Sequence, residues 1–459
     1  MVGLMITHSI IQKSQIKSAH RIDAEYFQPE YLELEKKIHS TNSCRLWRNI
    51  EGRFITGPFG SEFGVENYTS ESQYRYVRGK DVKEFFLLND DNVYIPEKDY
   101  ERLKKYSLKE GDVLVSVVGT LGNAAIVDSS TVPAIFSCKS TVFRTNSINS
   151  HYFIAYLNSQ YGSKLLKRSV RGAVQTGLNI GDLKSLPVFI SPQREQESIA
   201  SSVLKAKQEY YNSKSLYSQA EVLLLEKLGL NNFIPEEELS YKVNLSDVKS
   251  AHRADAEYFQ PKYGKLISKI KNGKIFSDAV ENLPSRFNPV DQPDKVFKYV
   301  ELSNIDSSIG VIDGYSEVLG QEAPSRAKRI LKSGDVIVSS VQGSLGKVAL
   351  VSQEQDGFLA STGFFQFRSK EILPEVLLVL ARSPILQMQL EKQCAGTILT
   401  AVPKEGIKNI VIPILGKTIQ EGIADSVHQS HQARKKAKEL LEKAKREVEE
   451  LIERGQSYS

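Results

Sequence analysis

The chain contains the same sequence twice. SAHRIDAEYFQP occupies residues 18–29 and SAHRADAEYFQP occupies residues 250–261, differing where Ile22 is replaced by Ala254. The two copies lie half a chain apart, far beyond the roughly 20–50 residues that separate the repeats of a solenoid. The sequence therefore predicts two homologous domains.

The correspondence continues through both halves. The matching segments keep their order and spacing: RYVRGKDV (75–82) with KYVELSNI (298–305), LKEGDVLVSVVGTLGNAAIV (108–127) with LKSGDVIVSSVQGSLGKVALV (331–351), RGAVQTGLNI (171–180) with AGTILTAVPK (395–404), and QESIASSV (196–203) with QEGIADSV (420–427). Because the match persists across each half, each half is expected to be a complete structural unit.

Composition limits the class of protein. The 459 residues suggest two or three domains, and 41% hydrophobic with 25% charged residues is typical of a globular chain. A formal net charge of +5 permits nucleic-acid binding without requiring it. Cys44, Cys138 and Cys394 are too few and too far apart for a disulfide framework or a zinc site. Apolar runs such as 376–381 fall short of the ~18 residues that span a membrane, so we expect a cytoplasmic protein.

Each half shows the same pattern of elements, which predicts an α+β fold. A short helix is expected after Pro29 and after Pro261, since proline suits the first helical turn. An amphipathic helix is predicted near residues 152–170 and again near 374–394. β-Branched segments bounded by glycine predict strands: DVLVSVVG, AAIVD and TVFRT in the first half, and DVIVSSV, KVALV and FFQFR in the second.

Both halves end in a long helical stretch with the four-and-three spacing of a coiled-coil seam. The seam positions are Ile199, Val203, Ala206, Tyr210, Ser213, Tyr217, Ala220 and Leu224, then Ile423, Val427, Ser430, Arg434, Ala437, Leu441, Ala444, Val448 and Leu451. Each stretch would extend about 50 Å. We favour an antiparallel coiled coil between them, since the two can satisfy each other's seams; the alternative is that each helix packs along its own domain.

A duplicated polar set raises the question of catalysis. Its members are His20, Asp23 and Glu25, and His252, Asp255 and Glu257. One interpretation is a metal site or an acid–base pair. However, the Glu lies off the helical face that His and Asp would share, so the interpretation as a hydrogen-bonded structural anchor is favoured. The sequence contains no P-loop, nucleophile elbow, HExxH motif or [DNS]PP[YF] tetrapeptide of amino methyltransferases. These features favour a binding protein over an enzyme.

Basic residues on one predicted strand are candidates for contact with DNA. Arg75, Arg78 and Lys80 alternate with aromatic and apolar residues. Alternation would place Arg78 and Lys80 on one face, directed at phosphates or guanine edges. The alternative is a solvated strand face.

Glycine-rich loops supply further candidates, because their backbone N–H groups approach phosphate closely. Gly57, Gly60 and Ser61 lie in ITGPFGSEFG, and Thr120 and Asn123 lie in GTLGN. Simple tight turns are the alternative. The remaining candidates are Lys139, Arg171 and Thr176 in the first half, and Ser344, Lys347, Thr397 and Thr400 in the second.

The layout resembles the specificity subunits of type I restriction–modification systems. The resemblance covers nearly the whole chain: duplicated strand-rich halves, GDVLVSVVGTLG, the Gly-x-x-x-Thr segments, SPQREQESIA and the long helices. It implies a first target recognition domain (1–190), a first long helix (191–228), a linker (229–249), a second target recognition domain (250–414), a second long helix (415–453) and a tail (454–459).

The resemblance also implies partners. Each domain would read a few base pairs of double-stranded DNA, while the antiparallel coiled coil would set the spacer and dock two methyltransferase subunits. Restriction–translocase subunits would complete the assembly. S-adenosylmethionine, ATP and Mg²⁺ would belong to those partners, so that this chain is expected to hold no cofactor and to be non-catalytic.

The two halves differ where contact with DNA is expected. Residues 52–75 and 282–298 share little, and Arg78 and Lys80 correspond to Glu301 and Ser303. Two domains with one frame and different contact loops predict an asymmetric bipartite target.

Three other functions remain open at this point. One is a specificity module of a methylation-only or other defence system. A second is a coiled-coil adaptor whose two globular heads bind proteins, which the small net charge favours. The third, an enzyme with an unrecognised site, is disfavoured because two equal active sites would require matching loops.

Overall fold

The computed structural model describes residues 8–19, 21–171, 176–395 and 400–455. The chain forms two compact units: unit 1 comprises Met1–Gln208 and Lys436–Ser459, and unit 2 comprises Glu209–Lys435. Both units combine helices with strand-rich sheets. The α+β class built from two homologous halves is confirmed.

Unit 1 holds the first copy of the repeat. Its helices are α1 (Lys13–Ala19), α2 (Pro29–His39), α3 (Glu97–Arg102), α4 (Ser150–Asn158), α5 (Gln160–Arg168), α6 (Ile180–Ser185) and the first part of α7 (Gln193–Leu228). Its strands are β1 (Cys44–Leu46), β2 (Arg53–Thr56), β3 (Tyr74–Val77), β4 (Phe85–Phe86), β5 (Val93–Ile95), β6 (Val113–Ser116), β7 (Ala124–Ile126), β8 (Ala134–Phe136), β9 (Ser140–Arg144) and β10 (Pro187–Phe189).

Three sheets build unit 1. Their strand orders are β2-β9-β6-β7-β4, β5-β3-β8 and β1-β10. Every residue of β6 and β7 is buried, which explains why these segments are continuously apolar rather than alternating. Helix α4 covers β7, and Asn158 Nδ2 donates to the Ala124 carbonyl at 3.1 Å. Trp47 lies at the centre of an aromatic cluster, with ring-centroid distances of 5.4 Å to Phe143 and 5.1 Å to Phe153.

Unit 2 holds the second copy. Its helices are α8 (Leu245–Ala251), α9 (Pro261–Ile267), α10 (Phe276–Ala279), α11 (Pro374–Arg382), α12 (Pro384–Gln393) and the first part of α13 (Lys417–Gly455). Its strands are β11 (Gly273–Ile275), β12 (Val280–Asn282), β13 (Val296–Val300), β14 (Ile305–Asp306), β15 (Val311–Ile312), β16 (Ser316–Leu319), β17 (Ala327–Ile330), β18 (Val336–Ser339), β19 (Val348–Leu350), β20 (Leu359–Ser361), β21 (Phe364–Ser369) and β22 (Val411–Pro413).

The sheets of unit 2 repeat those of unit 1. Their orders are β12-β21-β18-β19-β15-β14, β16-β13-β20-β17 and β11-β22. The antiparallel β18–β21 ladder reproduces β6–β9, and the parallel β13–β20 pair reproduces β3–β8. The strands predicted from the glycine-bounded segments are confirmed in both halves.

The amphipathic helices predicted as single elements are each two helices, so that prediction was wrong in both halves. Ser159 has extended backbone and its Oγ accepts from Gly162 N at 3.3 Å, which ends α4 and begins α5. A Cβ at Gly162 would lie 2.2 Å from the Tyr156 carbonyl oxygen, so the tight junction requires glycine. In unit 2, Ser383 is extended and Pro384 starts α12, where a proline lacks the N–H that a continuous helix needs.

The two long helices are confirmed, with 36 residues in α7 and 39 in α13. Within unit 2 they run antiparallel: Ser430 Oγ donates to the Ser213 carbonyl at 2.7 Å, and Gly422 faces Leu223. The predicted seam positions are largely buried, although near the end of α13 Ile452 is buried where Leu451 is half-buried. No helix in the described part of the chain is both long and apolar enough to cross a membrane.

Candidate nucleic-acid interface

Four loop segments of unit 1 pack against one another and form a surface that we call the first reading surface (57–62, 78–82, 117–123 and 137–140). A Cβ at Gly57 would lie 2.4 Å from the Phe136 carbonyl oxygen, and one at Gly79 would lie 2.8 Å from Lys139 Cβ. These approaches leave no room for a side chain, so both glycines are required for close packing. Gly57 is therefore placed within the fold, beneath the exposed Gly60 and Ser61.

Hydrogen bonds fix the same surface. Asn123 Nδ2 donates to the Val82 carbonyl at 3.1 Å, and Val117 N donates to the Lys139 carbonyl at 2.9 Å. Asn123 thus has a partner inside the protein, whereas the side chains of Thr120 and Lys139 are exposed. The loops are held in place while their outer positions face solvent.

The segment that carries Arg171 and Thr176 joins this surface. Leu178 N donates to the Val117 carbonyl at 2.9 Å, and Arg171 and Gly177 exchange two backbone hydrogen bonds. The Arg171 guanidinium binds Asp182, with Nε 2.7 Å from Oδ2, and this bond raises the pKa of Arg171. Thr176 is exposed, and residues 172–175 lie outside the described residues.

Arg78 and Lys80 do not lie on a strand, so the strand interpretation was wrong. Strand β3 ends at Val77, and Gly79–Asp81 forms a 3-10 turn in which the Asp81 carboxylate accepts from Arg78 N and Asp81 N donates to the Arg78 carbonyl. Arg78 binds Asp81 at 3.0 Å and Asp91 at 3.3 Å, and Lys80 binds Asp91 at 2.9 Å. The two cations are nevertheless brought together, because they share one carboxylate.

Arg75 lies inside the fold rather than on its surface. It is 4% exposed, its Nη1 donates to Asn89 Oδ1, and its Nη2 donates to the Leu88 carbonyl at 2.6 Å. Burial lowers the pKa of Arg75. Its bonds tie β3 to the 88–89 segment that leads to Asp91, which places Arg75 beneath the Arg78–Asp91–Lys80 cluster.

Sequence reasoning missed Asp81 and Asp91. Asp81 is 2% exposed and receives the Arg78 backbone N–H at 2.8 Å, while Asp91 is exposed. The side chains of Arg78 and Lys80 hold the pKa of Asp91 below its usual range. An Asp three residues after Arg78 has the spacing that lets its carboxylate accept from the Arg78 backbone N–H, and it was visible in the sequence, whereas the pairing with Asp91 depends on the fold.

Unit 2 builds a second reading surface (301–305, 341–347 and 400–401) on the same frame with other residues. Lys347 Nζ donates to the Ile305 carbonyl at 2.9 Å, which is the contact that Asn123 makes with Val82 in unit 1. Gln342 N donates to the Thr400 carbonyl at 3.0 Å. Ser344 Oγ lies 2.9 Å from Ser339 Oγ. Thr397 lies outside the described residues.

The chemistry of the two surfaces differs at the cap. Where Arg78 and Asp81 cap the turn in unit 1, Glu301 and Asn304 cap Leu302–Asn304 in unit 2, and Glu301 N donates to Asn304 Oδ1 at 2.9 Å. Ser303 Oγ donates to Glu301 Oε1 at 2.8 Å. The first surface therefore presents cations where the second presents a carboxylate and a hydroxyl.

The duplicated polar motif is an anchor in both units. Arg21 binds Asp23 through two bonds of 2.8 and 2.9 Å and donates to the Val170 carbonyl at 3.0 Å, at the end of α5. Arg253 forms the same pair with Asp255 and donates to the Cys394 carbonyl at 2.9 Å, after α12. The interpretation as a hydrogen-bonded anchor is confirmed for Asp23 and Asp255; His20 lies outside the described residues.

The bond with Arg21 lowers the pKa of Asp23, so this carboxyl is held ionised and fully engaged. Among the residues that the structure describes, no group of three or more His, Cys, Asp or Glu is arranged to hold a metal ion.

Two strand-rich units with one frame and divergent surface loops define a duplicated α+β protein. Residues 61–220 match the family model described as the type I restriction modification DNA specificity domain. The resemblance stated from the sequence is thereby confirmed, and the chain is similar to type I specificity subunits.

Solved structures of that class are also similar to this chain. The S subunit of a type I restriction–modification system from M. genitalium is 14% identical, with coverage of 91% of this chain and 96% of that one and a TM-score of 0.42. The HsdS subunit from Thermoanaerobacter tengcongensis is 13% identical, with 90% and 96% coverage and a TM-score of 0.28.

Proposed function

We propose that this chain is the DNA-recognition subunit of a type I system, and that each unit reads one half of an asymmetric bipartite site. The observation that carries the proposal is the pair of reading surfaces: one frame is built twice, with Asn123 and Lys347 making the same bond to Val82 and Ile305. Two domains that share one framework but differ in their surface residues suit the recognition of two different base sequences.

The charges on the two surfaces support different contacts. Arg78 and Lys80 suit phosphate oxygens or guanine edges, which accept hydrogen bonds. Glu301 suits the cytosine amino group, which donates one, and Ser303 suits either kind of edge. Arg171, Thr176 and Lys139 would contact the backbone beside the first half-site.

The chain would act by directing other subunits. We propose that two methyltransferase subunits bind S-adenosylmethionine and perform the chemistry, and that restriction–translocase subunits, where present, use ATP and Mg²⁺. The duplicated motif is engaged in structural bonds, which supports a non-catalytic role for this chain.

Co-expression tests the proposal. The chain would be produced with the methyltransferase encoded beside it in a host that lacks its own methylation, and methylated bases would be mapped across the genome. We expect a motif of two different half-sites separated by unread base pairs. A palindromic motif would contradict the asymmetry, and methylation without any bipartite motif would contradict the function.

The salt dependence of DNA binding distinguishes a DNA-recognition subunit from a protein-binding adaptor. Binding of DNA by the assembled complex should weaken steeply between 50 and 200 mM salt, because each neutralised phosphate releases counterions. Affinity that does not change with salt would favour the adaptor.

A further inference from the structure

An exposed aromatic ring stands on the first reading surface. Phe59 is 63% exposed, between the buried Pro58 and the exposed Gly60. A Cβ at Gly60 would meet nothing within 4 Å, so the space beside the ring is open. Among the described residues of the first reading surface, Phe59 is the large hydrophobic side chain that is exposed, so its ring is available to a ligand.

The loop that carries this ring is firmly held. Glu62 N and Phe63 N donate to the Phe59 carbonyl at 2.8 and 3.3 Å, so the tip forms a hydrogen-bonded turn. On the far side, Arg102 Nη2 donates to the Glu62 carbonyl at 2.9 Å and Tyr106 OH donates to Glu62 Oε1 at 3.1 Å. The ring is therefore presented in advance of binding and costs little ordering entropy.

An aromatic cluster anchors the next turn of the loop. Phe63 is 5% exposed, and its ring lies 5.1 Å from Tyr76 on β3, the strand that leads into Arg78. On its other side the loop rests on Phe136 and Ser137 through Gly57, beside Lys139. The exposed ring thus belongs to the surface that holds Arg78, Lys80 and Lys139.

This setting favours a base as the occupant. Arg78, Lys80 and Lys139 supply cations for phosphates on the same surface, and an exposed apolar ring on that surface suits the apolar parts of bases: the thymine methyl at the major-groove edge, or a base face. We infer that Phe59 is the apolar base contact of the first unit and determines part of the first half-site, an inference that rests on the proposed function.

The second unit offers a contrast. Phe287, in the divergent segment of that unit, packs on Phe297 with ring centroids 5.6 Å apart and is half-buried. Phe287 is therefore not an exposed counterpart of Phe59.

Methylation mapping of Phe59→Ala tests the inference. The complex with the methyltransferase should keep the second half-site, accept additional bases at one or two positions of the first, and methylate the original site roughly tenfold more slowly. Ile234→Ala, which truncates an exposed apolar residue of the linker that follows α7, is the matched control and should leave the motif and rate unchanged. Because Phe59 is exposed, the thermal unfolding midpoint of the variant should match that of the wild type.

A uracil scan identifies the part of the base that is contacted. Replacing thymine by uracil at one position should weaken wild-type binding but not binding by Phe59→Ala, if the methyl group is the contact. If the motif relaxes and no uracil position matters, the ring meets a base by its face, which supports the same assignment.

Two results would overturn the inference. One is a Phe59→Ala complex with the wild-type motif and rate. The other is a variant that assembles poorly with the methyltransferase while the motif stays intact, since the ring would then bind protein. Either result leaves the wild-type bipartite motif in place, whereas failure of the proposed function removes that motif from the wild type.

Discussion

Asp91 reduces the positive charge that the first reading surface presents. Asp91 binds both Arg78 and Lys80 and so neutralises cations that would otherwise face phosphate. If this surface binds DNA as proposed, phosphates would compete with this carboxylate, which would weaken contacts made by charge alone. Under the proposed function, Asp91 limits binding to unrelated sequences.

Asp91→Asn should therefore strengthen non-specific binding. We expect a several-fold gain in the affinity of the assembled complex for an unrelated duplex, and a slope against salt that steepens by about one for each released cation. Fluorescence anisotropy between 50 and 200 mM salt measures both. Glu84→Gln removes an equal charge from another exposed position of unit 1 and serves as the control; equal effects from both variants would mean that net charge, and not the cluster, is responsible.

Arg21 and its duplicate Arg253 should contribute to stability to different extents in the two units. The side chain of Arg21 is 8% exposed and that of Arg253 is 23% exposed, although both make the same bonds. Arg21→Met should lower the free energy of unfolding by about 2 kcal/mol, because charged hydrogen bonds are lost in a buried setting. Arg253→Met should cost about half of that. Urea unfolding of the full chain monitors both; a larger effect at Arg253 would contradict this account.

At the scale of elements, the apolar pattern of the sequence predicted those strands and helices whose formation depends on burial. The strands β6 and β18 follow from short apolar segments that are buried along their whole length, and the helices α7 and α13 follow from one apolar stripe each. The breaks at Ser159 and Ser383 were not predicted, since the apolar pattern continues through them while local capping and Pro384 end the helix.

The reading surfaces were partly predictable for a related reason. Glycine loops and basic residues mark where a ligand can approach, and the duplication showed which segments form a shared frame. The burial of Arg75 and the Arg78–Asp91 pair depend on contacts between segments distant in sequence. Alternation along a strand also failed for Lys80, because β3 ends first.

Two neighbouring residues on α7 test the helical seam. Leu224 is fully buried in the core of unit 2, whereas Val222, two positions earlier, is 49% exposed. Leu224→Ala should lower the free energy of unfolding by about 2–5 kcal/mol through lost burial and a cavity, and Val222→Ala should change it by less than about 0.5 kcal/mol. Thermal unfolding provides the comparison; similar shifts in the two variants would show that α7 does not pack along this seam.

At the scale of the whole molecule, each unit has its own core. Val77, Leu114 and Phe136 belong to a cluster confined to unit 1, and Val300 and Ile337 belong to one confined to unit 2. A substitution on one reading surface should therefore leave the other surface intact. Independence of this kind is what would let two different half-sites be read by one chain.

The 3-10 turns that carry Lys80 in unit 1 and Ser303 in unit 2 offer a direct test of that independence. Lys80→Ala should alter the methylation motif or rate through the first half-site, and Ser303→Ala through the second. In the double variant the two effects on the free energy of recognition should add to within about 0.5 kcal/mol, because residues in separate cores do not share partners. Mapped methylation with each complex measures them. A change in both half-sites after one substitution, or strong non-additivity, would mean that the units read DNA as one surface and that the duplicated frame does not serve separate recognition.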